Sequence, residues 1–459
     1  MKDAQTQNEN LVMAGRIARL VHEQGGACYY VGGFVRDGLL GLENKDIDIE
    51  VHGISPEILI EILNSLGTVT VFGESFGIFG LAHYNLDIAL PRSERAVGFG
   101  HRGFLITADP FIGTRAAAVR RDFTVNALMQ DVITDEILDY FGGREDLKAG
   151  ILRHVDPVRF AEDPLRVLRG AQFAARFGFR IAPETVEVCQ KMNLETLPKE
   201  RIFGELEKAL LKADHPSVFF ESLRRMDQMK VWFPEILALA DIPQPQEYHP
   251  EGDVWVHTMH VLDEAARLRE QAHNPIGLML SALCHDLGKV STTEIGKDGR
   301  LHAYRHEQAG ILPASALLTR ISGEKKLRQY VLNMVELHML PNMLVAQSAG
   351  RKSFNHVFDR SCDPEDLLLL CKADALGSSM DSLSYIEVEK GLHRSLKAYC
   401  RQMARPYVTG ADLIAAGWQP GEAFREALSY SHKLQLAGVN RKETLSQTLA
   451  FLRDREKKT

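Results

Sequence analysis

The hydrophobic rhythm of the chain changes once, about a third of the way along. From about residue 11 to residue 150, stretches of helical spacing alternate with short stretches in which apolar residues recur at every second position. "LVMAGRIARLVHEQG" has the helical spacing, while "ACYYVGG", "KDIDIEV", "TVTVFG", "FGLAHYNLDIAL" and "EILDYF" read as strands. This mixture predicts an α+β unit with a mixed β-sheet. From about Pro157 onward the strand signal almost vanishes. "DPLRVLRGAQFAARFGF", "ERIFGELEKALLKA" and "SVFFESLRRMDQMKVWF" keep helical periodicity, so the remainder is expected to be all-α. "DIPQPQEYHPEGD" at 241–253 is a proline-rich break and a natural boundary. A second helical block runs to about 400, and the last segment ends in "RDREKKT", which is expected to fray. The predicted divisions are 1–150, 151–240, 241–400 and 401–459.

One strand carries a charge problem. In Asp46-Ile47-Asp48-Ile49 the two acids alternate with β-branched residues, so a strand places both carboxylates on one face. Like charges at that distance repel and resist burial. A hard cation resolves the conflict, because Mg²⁺ binds through one or two carboxylates plus substrate phosphates. Two such ions about 3.5–4 Å apart stabilise the attacking and leaving oxygens of an in-line phosphoryl displacement. Alone, a D-x-D is more often a solvated turn. Here "VGGFVRDGLLG" precedes it. Gly32-Gly33 lets the backbone approach a triphosphate, a helix starting at Phe34 or Val35 aims N–H groups at it, and Arg36 adds a forked donor. Asp87, in "YNLDIALPR", is either a third carboxylate beside the metals or a strand-end partner of Arg92.

Composition sets bounds on this picture. The 459 residues exceed one compact core and imply two to four domains. A hydrophobic content of 45% and a charged content of 25% are those of a soluble globular protein. The net charge of −7 is no nucleic-acid signal, so an RNA site has to be a local basic patch. "MKDAQTQNEN" lacks the pattern of a signal peptide, and no apolar run is long enough to span a bilayer. The six cysteines are scattered without a C-x-x-C, which suits a reducing cytoplasm and argues against a Cys-based zinc site. A cytoplasmic monomer or homodimer without membrane contact is expected.

Five stretches in order resemble the successive motifs of the tRNA nucleotidyltransferase/poly(A) polymerase family, most closely the bacterial class II CCA-adding enzymes. They are "GGFVRD…KDIDIEV", "RRDFTVNAL", "DYFGGREDLKAGILRHV", "EDPLRVLRGAQFAARFGF" and "ERIFGELEKAL". The resemblance implies a nucleotidyltransferase head followed by helical neck, body and tail, and addition of C, C and A to tRNA from CTP and ATP without a nucleic-acid template. It implies that Gly33 and Arg36 bind the triphosphate, that Asp46 and Asp48 are catalytic and hold Mg²⁺, that Arg121 contacts the nucleotide, and that Asp122 and Asn126 lie near its sugar.

The "EDPLR" element also has a physical reading. Asp163 and Arg166 are three apart on a helix and share a face. Cytosine and adenine each offer an amino donor beside a ring-nitrogen acceptor, which a carboxylate and a guanidinium satisfy together. Uracil and guanine present a carbonyl there, leaving the carboxylate facing an acceptor. Arg169, one turn on, is expected to fix Arg166 or reach the phosphates. Asp163 before Pro164 is also a common helix cap, which would leave it less free to read a base. Many members of the family this chain resembles carry Arg where it has Gln172, a departure that removes a contact the resemblance would imply along that helix face. Phe173, Phe177 and Phe179 are read as core rather than as base-stacking residues.

A second constellation lies downstream. "SALCHDLGK" places His285-Asp286 after an apolar helix, with His257 upstream and His306, His338 and Asp374 on separate predicted helices downstream. Imidazole with carboxylate suits divalent transition metals, and a metal-bound water can attack a phosphate ester. The pattern resembles the HD phosphohydrolase superfamily, with His257, His285, Asp286 and Asp374 in its defining positions and His306 and His338 as ligands of two-metal members. His260, His302 and His356 are left as structural. The resemblance implies 2′-phosphatase, 2′-nucleotidase and 2′,3′-cyclic phosphodiesterase activities that restore damaged RNA ends. The alternatives are a CC- or A-adding partial enzyme, a poly(A) polymerase, and an HD phosphohydrolase with an inactive RNA-binding head. The Gly- and Arg-rich stretch "PRSERAVGFGHRGFLITADP" favours full CCA addition, since loops here help the family switch from C to A.

Overall fold

The alternating residues of the first third build a seven-stranded sheet. Its strands come from β1 (Ala27–Val31), β2 (Ile47–His52), β3 (Val69–Phe72), β4 (Ile78–Leu81) and β5 (Leu86–Ala89), then, past the separate hairpin of β6 (Arg92–Ala96) and β7 (Phe104–Ala108), from β8 (Met129–Asp131) and β9 (Ile137–Leu138). The order across the sheet is β3-β4-β5-β2-β1-β8-β9. Neighbours are antiparallel except β2 and β5, which run parallel, so the sheet is mixed as expected. The computed structural model describes residues 2–72, 77–96, 104–245, 247, 249–250, 252–378 and 382–456.

Period-two patterning decides which face of β2 is wet. Ile47, Ile49 and Val51 pack into one core with Met13, Ile17 and Val21 of the helix Lys2–Glu23 and with Leu59 and Leu63 of the helix Pro56–Leu66. Asp48 and Glu50 are therefore left on the opposite face. The buried face anchors the strand, and the acids inherit its rigidity.

Residues Met1–Ala209 with Val218–Val231 form one compact unit, and Leu210–Ser217 with Trp232–Thr459 form a second. The second is largely helical. The expected break at 241–253 lies between the helices Pro234–Leu237 and Val254–Leu268.

Three local expectations change. "FGLAHYNLDIAL" is two strands, because the chain turns at Ala82–Asn85 with His83 at φ 72°. "SVFFESLRRMDQMKVWF" is helical only over Ser217–Arg225, and Asp227 at φ 55° breaks the run. The later chain is not wholly α: Ile151–Leu152 pairs in parallel with Arg180–Ile181, and Thr293–Ile295 forms a hairpin with Leu301–Ala303. Pairs this short carry too few alternating residues to register as strands. The Gly- and Arg-rich stretch contributes β6 and β7, and its centre at 97–103 lies outside the described residues.

Candidate active site and metal centre

A cleft of about 430 Å³ in the first unit gathers the nucleotide-binding candidates. Gly33, Arg36, Arg121, Asp122, Asn126, Asp163, Arg166 and Arg169 all line it, together with Asp48 and Gly32. Gly32 sits at φ 66°, just ahead of the helix Gly33–Leu39. A Cβ there would lie 3.2 Å from Arg121 Nη1 and 3.8 Å from Asp48 Oδ2. The backbone angle calls for glycine, and the absence of a side chain leaves the space beside Arg121 and Asp48 open.

The acids are arranged by strand pairing. Asp48 is directly opposite Asp87 in the parallel β2–β5 register, and adjacent strands lie roughly 4.8 Å apart. This favours Asp87 as a third acid beside the pair. Asp46 precedes β2; its backbone N–H donates to Asn44 Oδ1 and its carboxylate accepts from Asn85 Nδ2. Glu50, one period further along the same face, accepts from Arg121 at 3.1 Å. Asp48, Glu50, Asp87 and Arg121 share a second hollow of about 300 Å³.

Burial, reinforced by Asp87 and Asp46 and only partly opposed by Arg121, pushes the Asp48 carboxyl up to about 6. Glu50 goes the other way: burial raises it, but His52 and Arg121 outweigh burial and hold it below the usual range. Acids destabilised by one another fit a cation that neutralises them.

The sequence motifs meet in one buried polar chain. Asp122 Oδ2 accepts from Arg169 Nε at 2.7 Å, and Oδ1 from Asn126 Nδ2 and the Phe123 N–H. Asn126 Oδ1 accepts from Arg36 Nη1 at 2.7 Å, and Asp37 Oδ1 takes Arg36 Nε and Nη2. Asn44 closes the chain onto Asp37 Oδ2. Burial would raise the Asp122 carboxyl, but Arg169, Asn126 and the Phe123 amide hold it low and ionised. Arg36 is 4% exposed, and its guanidinium lies 5.1 Å and 4.5 Å from the Phe173 and Phe177 ring centres. Those rings form an aromatic bed under a cation. The "DYFGGRED" motif docks against Thr124: Asp139 accepts the Gly143 and Arg144 N–H groups, and a Cβ on Gly143 would meet Thr124 O at 2.3 Å.

Asp163 and Arg166 share the cleft, but each has partners beyond the other. Arg166 donates to the carbonyls of Arg159 and Arg120 at 2.7 Å and 2.6 Å. Asp163 Oδ1 accepts the Leu165 N–H, and Oδ2 accepts from Arg201 at 3.0 Å; the N-cap of the helix is Pro164 and not the expected Asp163, because the helix begins one residue later, at Leu165. Gln172 is buried outside this lining, with an Nε2 that has no partner.

In the second unit the histidine–aspartate candidates converge as two trios, His257/His285/Asp374 and Asp286/His306/His338. His257 Nε2 lies 3.3 Å from His285 Nε2 and 3.1 Å from Asp374 Oδ1; His285 Nε2 lies 3.2 Å from Asp286 Oδ2. His306 Nε2 lies 3.3 Å from both Asp286 Oδ1 and His338 Nε2. Three rings are oriented from behind, with Nδ1 of His285, His306 and His338 donating to the carbonyls of Ala282, Ala303 and Val335. Burial, then His285 and His306, push His338 down to about 3, so its Nε2 presents a lone pair. Ligand atoms about 2.1 Å from a common ion lie roughly 3.0–3.4 Å apart. The observed spacings and this donor set therefore fit divalent transition metal ions. His260 and His356 are exposed, and His302 pairs with Asp298, all apart from the trios.

A third trio, His273/Asp363/Asp366, is structural. Asp363 caps the helix Pro364–Gly377, and Asp366 accepts from the His273 and Asn274 amides and from Tyr330.

Known families match two stretches of the chain. The model of the Poly A polymerase head domain matches residues 28–153, and that of the probable RNA and SrmB-binding site of polymerase A matches residues 178–239. The multifunctional CCA protein of Actinobacillus pleuropneumoniae serotype 5b (strain L20) is 41% identical over 361 residues, which is 76% of this chain and 85% of the relative. The chain belongs to the multifunctional CCA protein family. It is thereby a tRNA nucleotidyltransferase. The Nitrosococcus oceani member is 37% identical over 409 residues, 87% of this chain and 95% of its own. The fold is shared with the Thermotoga maritima CCA-adding enzyme solved with tRNA (TM-score 0.62, 22% identity, 97% and 98% of the chains). It is shared equally with the Bacillus stearothermophilus enzyme solved with CTP (TM-score 0.64, 21% identity, 97% and 98%). Among the described residues, no helix is long and apolar enough to cross a membrane.

Within this family frame, four side chains join the sites that the motif reading gave no role. Arg201 lies inside "ERIFGELEKAL", and Glu50 continues the period of Asp46 and Asp48. Lys289 closes "HDLGK" and reaches Asp286 Oδ2 at 2.7 Å, while Gln244 Oε1 accepts from Lys289 at the same distance. Period-two continuation would have found Glu50. Nothing local marks Gln244.

Proposed function

We propose that the head cleft adds C, C and A in turn to the 3′ end of tRNA, and that the histidine–aspartate centre hydrolyses phosphate esters at damaged RNA ends. The first reading rests above all on Asp48, which lies in the cleft with Gly32-Gly33, Asp163 and Arg166 and stands opposite Asp87 in the β2–β5 register. Asp46, Asp48 and Asp87 would hold Mg²⁺, which supplies charge neutralisation at the attacking and leaving oxygens. The chain's own residues do the rest. Gly32-Gly33 admits the triphosphate, with Arg36 and Arg121 supplying positive charge beside it. Asp163 and Arg166 read the amino edge of cytosine or adenine. The tRNA 3′-oxygen forms a bond to the α-phosphorus as the bond to the β-phosphate oxygen breaks, and pyrophosphate leaves. Asp122 and Asn126 act from beneath, holding Arg169 and Arg36 in place.

In the second unit, His257, His285, Asp286 and Asp374, with His306 and His338, would hold transition metal ions that activate water. Cyclic or 2′-phosphates block extension, so 2′-phosphatase, 2′-nucleotidase and 2′,3′-cyclic phosphodiesterase activities would restore a usable end. The free cysteines, four of them buried, suit a cytoplasmic protein.

The test supplies tRNAs truncated before each of the three terminal nucleotides with each nucleoside triphosphate and Mg²⁺. Ordered C, C, A addition is expected. Long A tails would indicate poly(A) synthesis, CC alone a partial enzyme, and no incorporation would overturn the reading.

A further inference from the structure

We propose that Arg201 is a positioning residue that sets nucleotide specificity by clamping the carboxylate of Asp163. The inference rests on the reading above that Asp163 and Arg166 recognise the base.

Asp163 stands just ahead of the helix Leu165–Phe177 and Arg201 near the start of the helix Lys199–Lys212, so the clamp joins two elements. Both oxygens of Asp163 are engaged. Oδ1 accepts the Leu165 backbone N–H at 3.1 Å, and Oδ2 accepts Arg201 Nη2 at 3.0 Å. A carboxylate held at one oxygen swings about its terminal torsion, which is broad and nearly two-fold. Held at both, it presents its remaining lone pairs in one direction. Its companion is fixed just as firmly, since Arg166 grips two backbone carbonyls. Arg201 and Glu205 lie four apart on one helix face. Glu205 is buried with Oε2 unpartnered, and its charge, after that of Asp122, favours the cationic form of Arg169. Charges on the Lys199–Lys212 helix thus complement those around the base-reading helix.

Rigidity matters for rejection more than for acceptance. A mobile carboxylate can still rotate to meet the amino group of cytosine or adenine. Facing the carbonyl of uracil or guanine, it can also rotate away, and the penalty for opposing two acceptors fades. A clamped carboxylate cannot escape, so the penalty stands. Arg201 is therefore expected to act mainly on the ratio between right and wrong nucleotides.

The experiment measures kcat/KM for CTP, ATP, UTP and GTP on truncated tRNA, using the full-length chain with Arg201→Ala, Arg201→Gln, Arg201→Lys and Asp163→Ala. Arg201→Ala is expected to narrow the preference for CTP and ATP by about tenfold or more, as one opposed polar pair implies. Arg201→Lys, which keeps the charge, is expected to restore part of it. An equal loss for all four nucleotides, or no change, overturns the proposal, because a purely structural or phosphate-binding role would not move the ratio. Melting temperatures identify a variant that fails to fold; Arg201→Gln, closer in size to arginine, then carries the same two outcomes. If Asp163→Ala leaves the preference intact, the base-reading assignment itself fails. If Asp163→Ala abolishes the preference and the Arg201 variants do not alter it, only the clamp is wrong.

Discussion

Asp122 lines the cleft while bonding to three other groups of the protein. It is buried, ionised, and bonded to Arg169, Asn126 and a backbone amide. Asp122→Ala strands Arg169 and frees Asn126, which itself orients Arg36. A loss of about 2 kcal/mol in unfolding free energy is expected, moderated because Arg169 is about one-third exposed. Denaturant titration reads it, and nucleotide addition should fall in parallel. Asp48 makes a pH prediction. Its folded pKa of about 6 lies above the ordinary carboxylate value, so the folded chain holds this proton more tightly than the unfolded chain. Its contribution to stability is full at low pH and declines as pH rises from about 4 through 6. Mg²⁺ offsets that decline. Mg²⁺ should therefore raise the melting temperature more at about pH 7.5 than at about pH 5, and Asp48→Asn should remove the difference. Equal effects at both pH values would count against a cation site at Asp48.

Elements place these residues by packing. β2 is pinned by the isoleucines on its buried face, so its acids cannot slip register without exposing the core. In the second unit, Gly288 of "HDLGK" permits close passage of the chain that carries His306. A Cβ there would come within 1.9 Å of His306 O and 2.6 Å of Gly310 N. Gly288→Ala should displace His306, lower the metal content measured by mass spectrometry, and leave nucleotide addition by the head intact. Unchanged metal content would show that His306 is not held this way. The motif "HDLGK" reads in the sequence as a candidate metal motif, but the reason for its glycine lies in a segment eighteen residues on. "SVFFESLRRMDQMKVWF" shows the opposite limit: helical spacing persists past Arg225, while the backbone turns at Asp227. Periodicity reports which face is apolar and does not report where hydrogen bonding stops.

At the scale of the whole molecule, each site lies within a single compact unit. Asp46→Ala should abolish nucleotide addition and spare phosphate-ester hydrolysis, and Asp286→Ala should do the reverse. Loss of both activities from either substitution would refute the two-site assignment. The sequence by itself determined the chemistry available: two acids in one alternating run, a Gly-Gly turn, an Asp and an Arg three apart around a helix start, and an HD pair with further histidines and an aspartate. It could do so because strand and helix periods are properties of the backbone, so residues two or four apart meet whatever surrounds them. Tertiary structure decided the partners. The parallel crossover put Asp87 beside Asp48, a second helix brought Arg201 to Asp163, and backbone carbonyls rather than a carboxylate took the Arg166 guanidinium. Those choices depend on which charged and polar groups are left to satisfy one another once the core excludes water, and no local period encodes that.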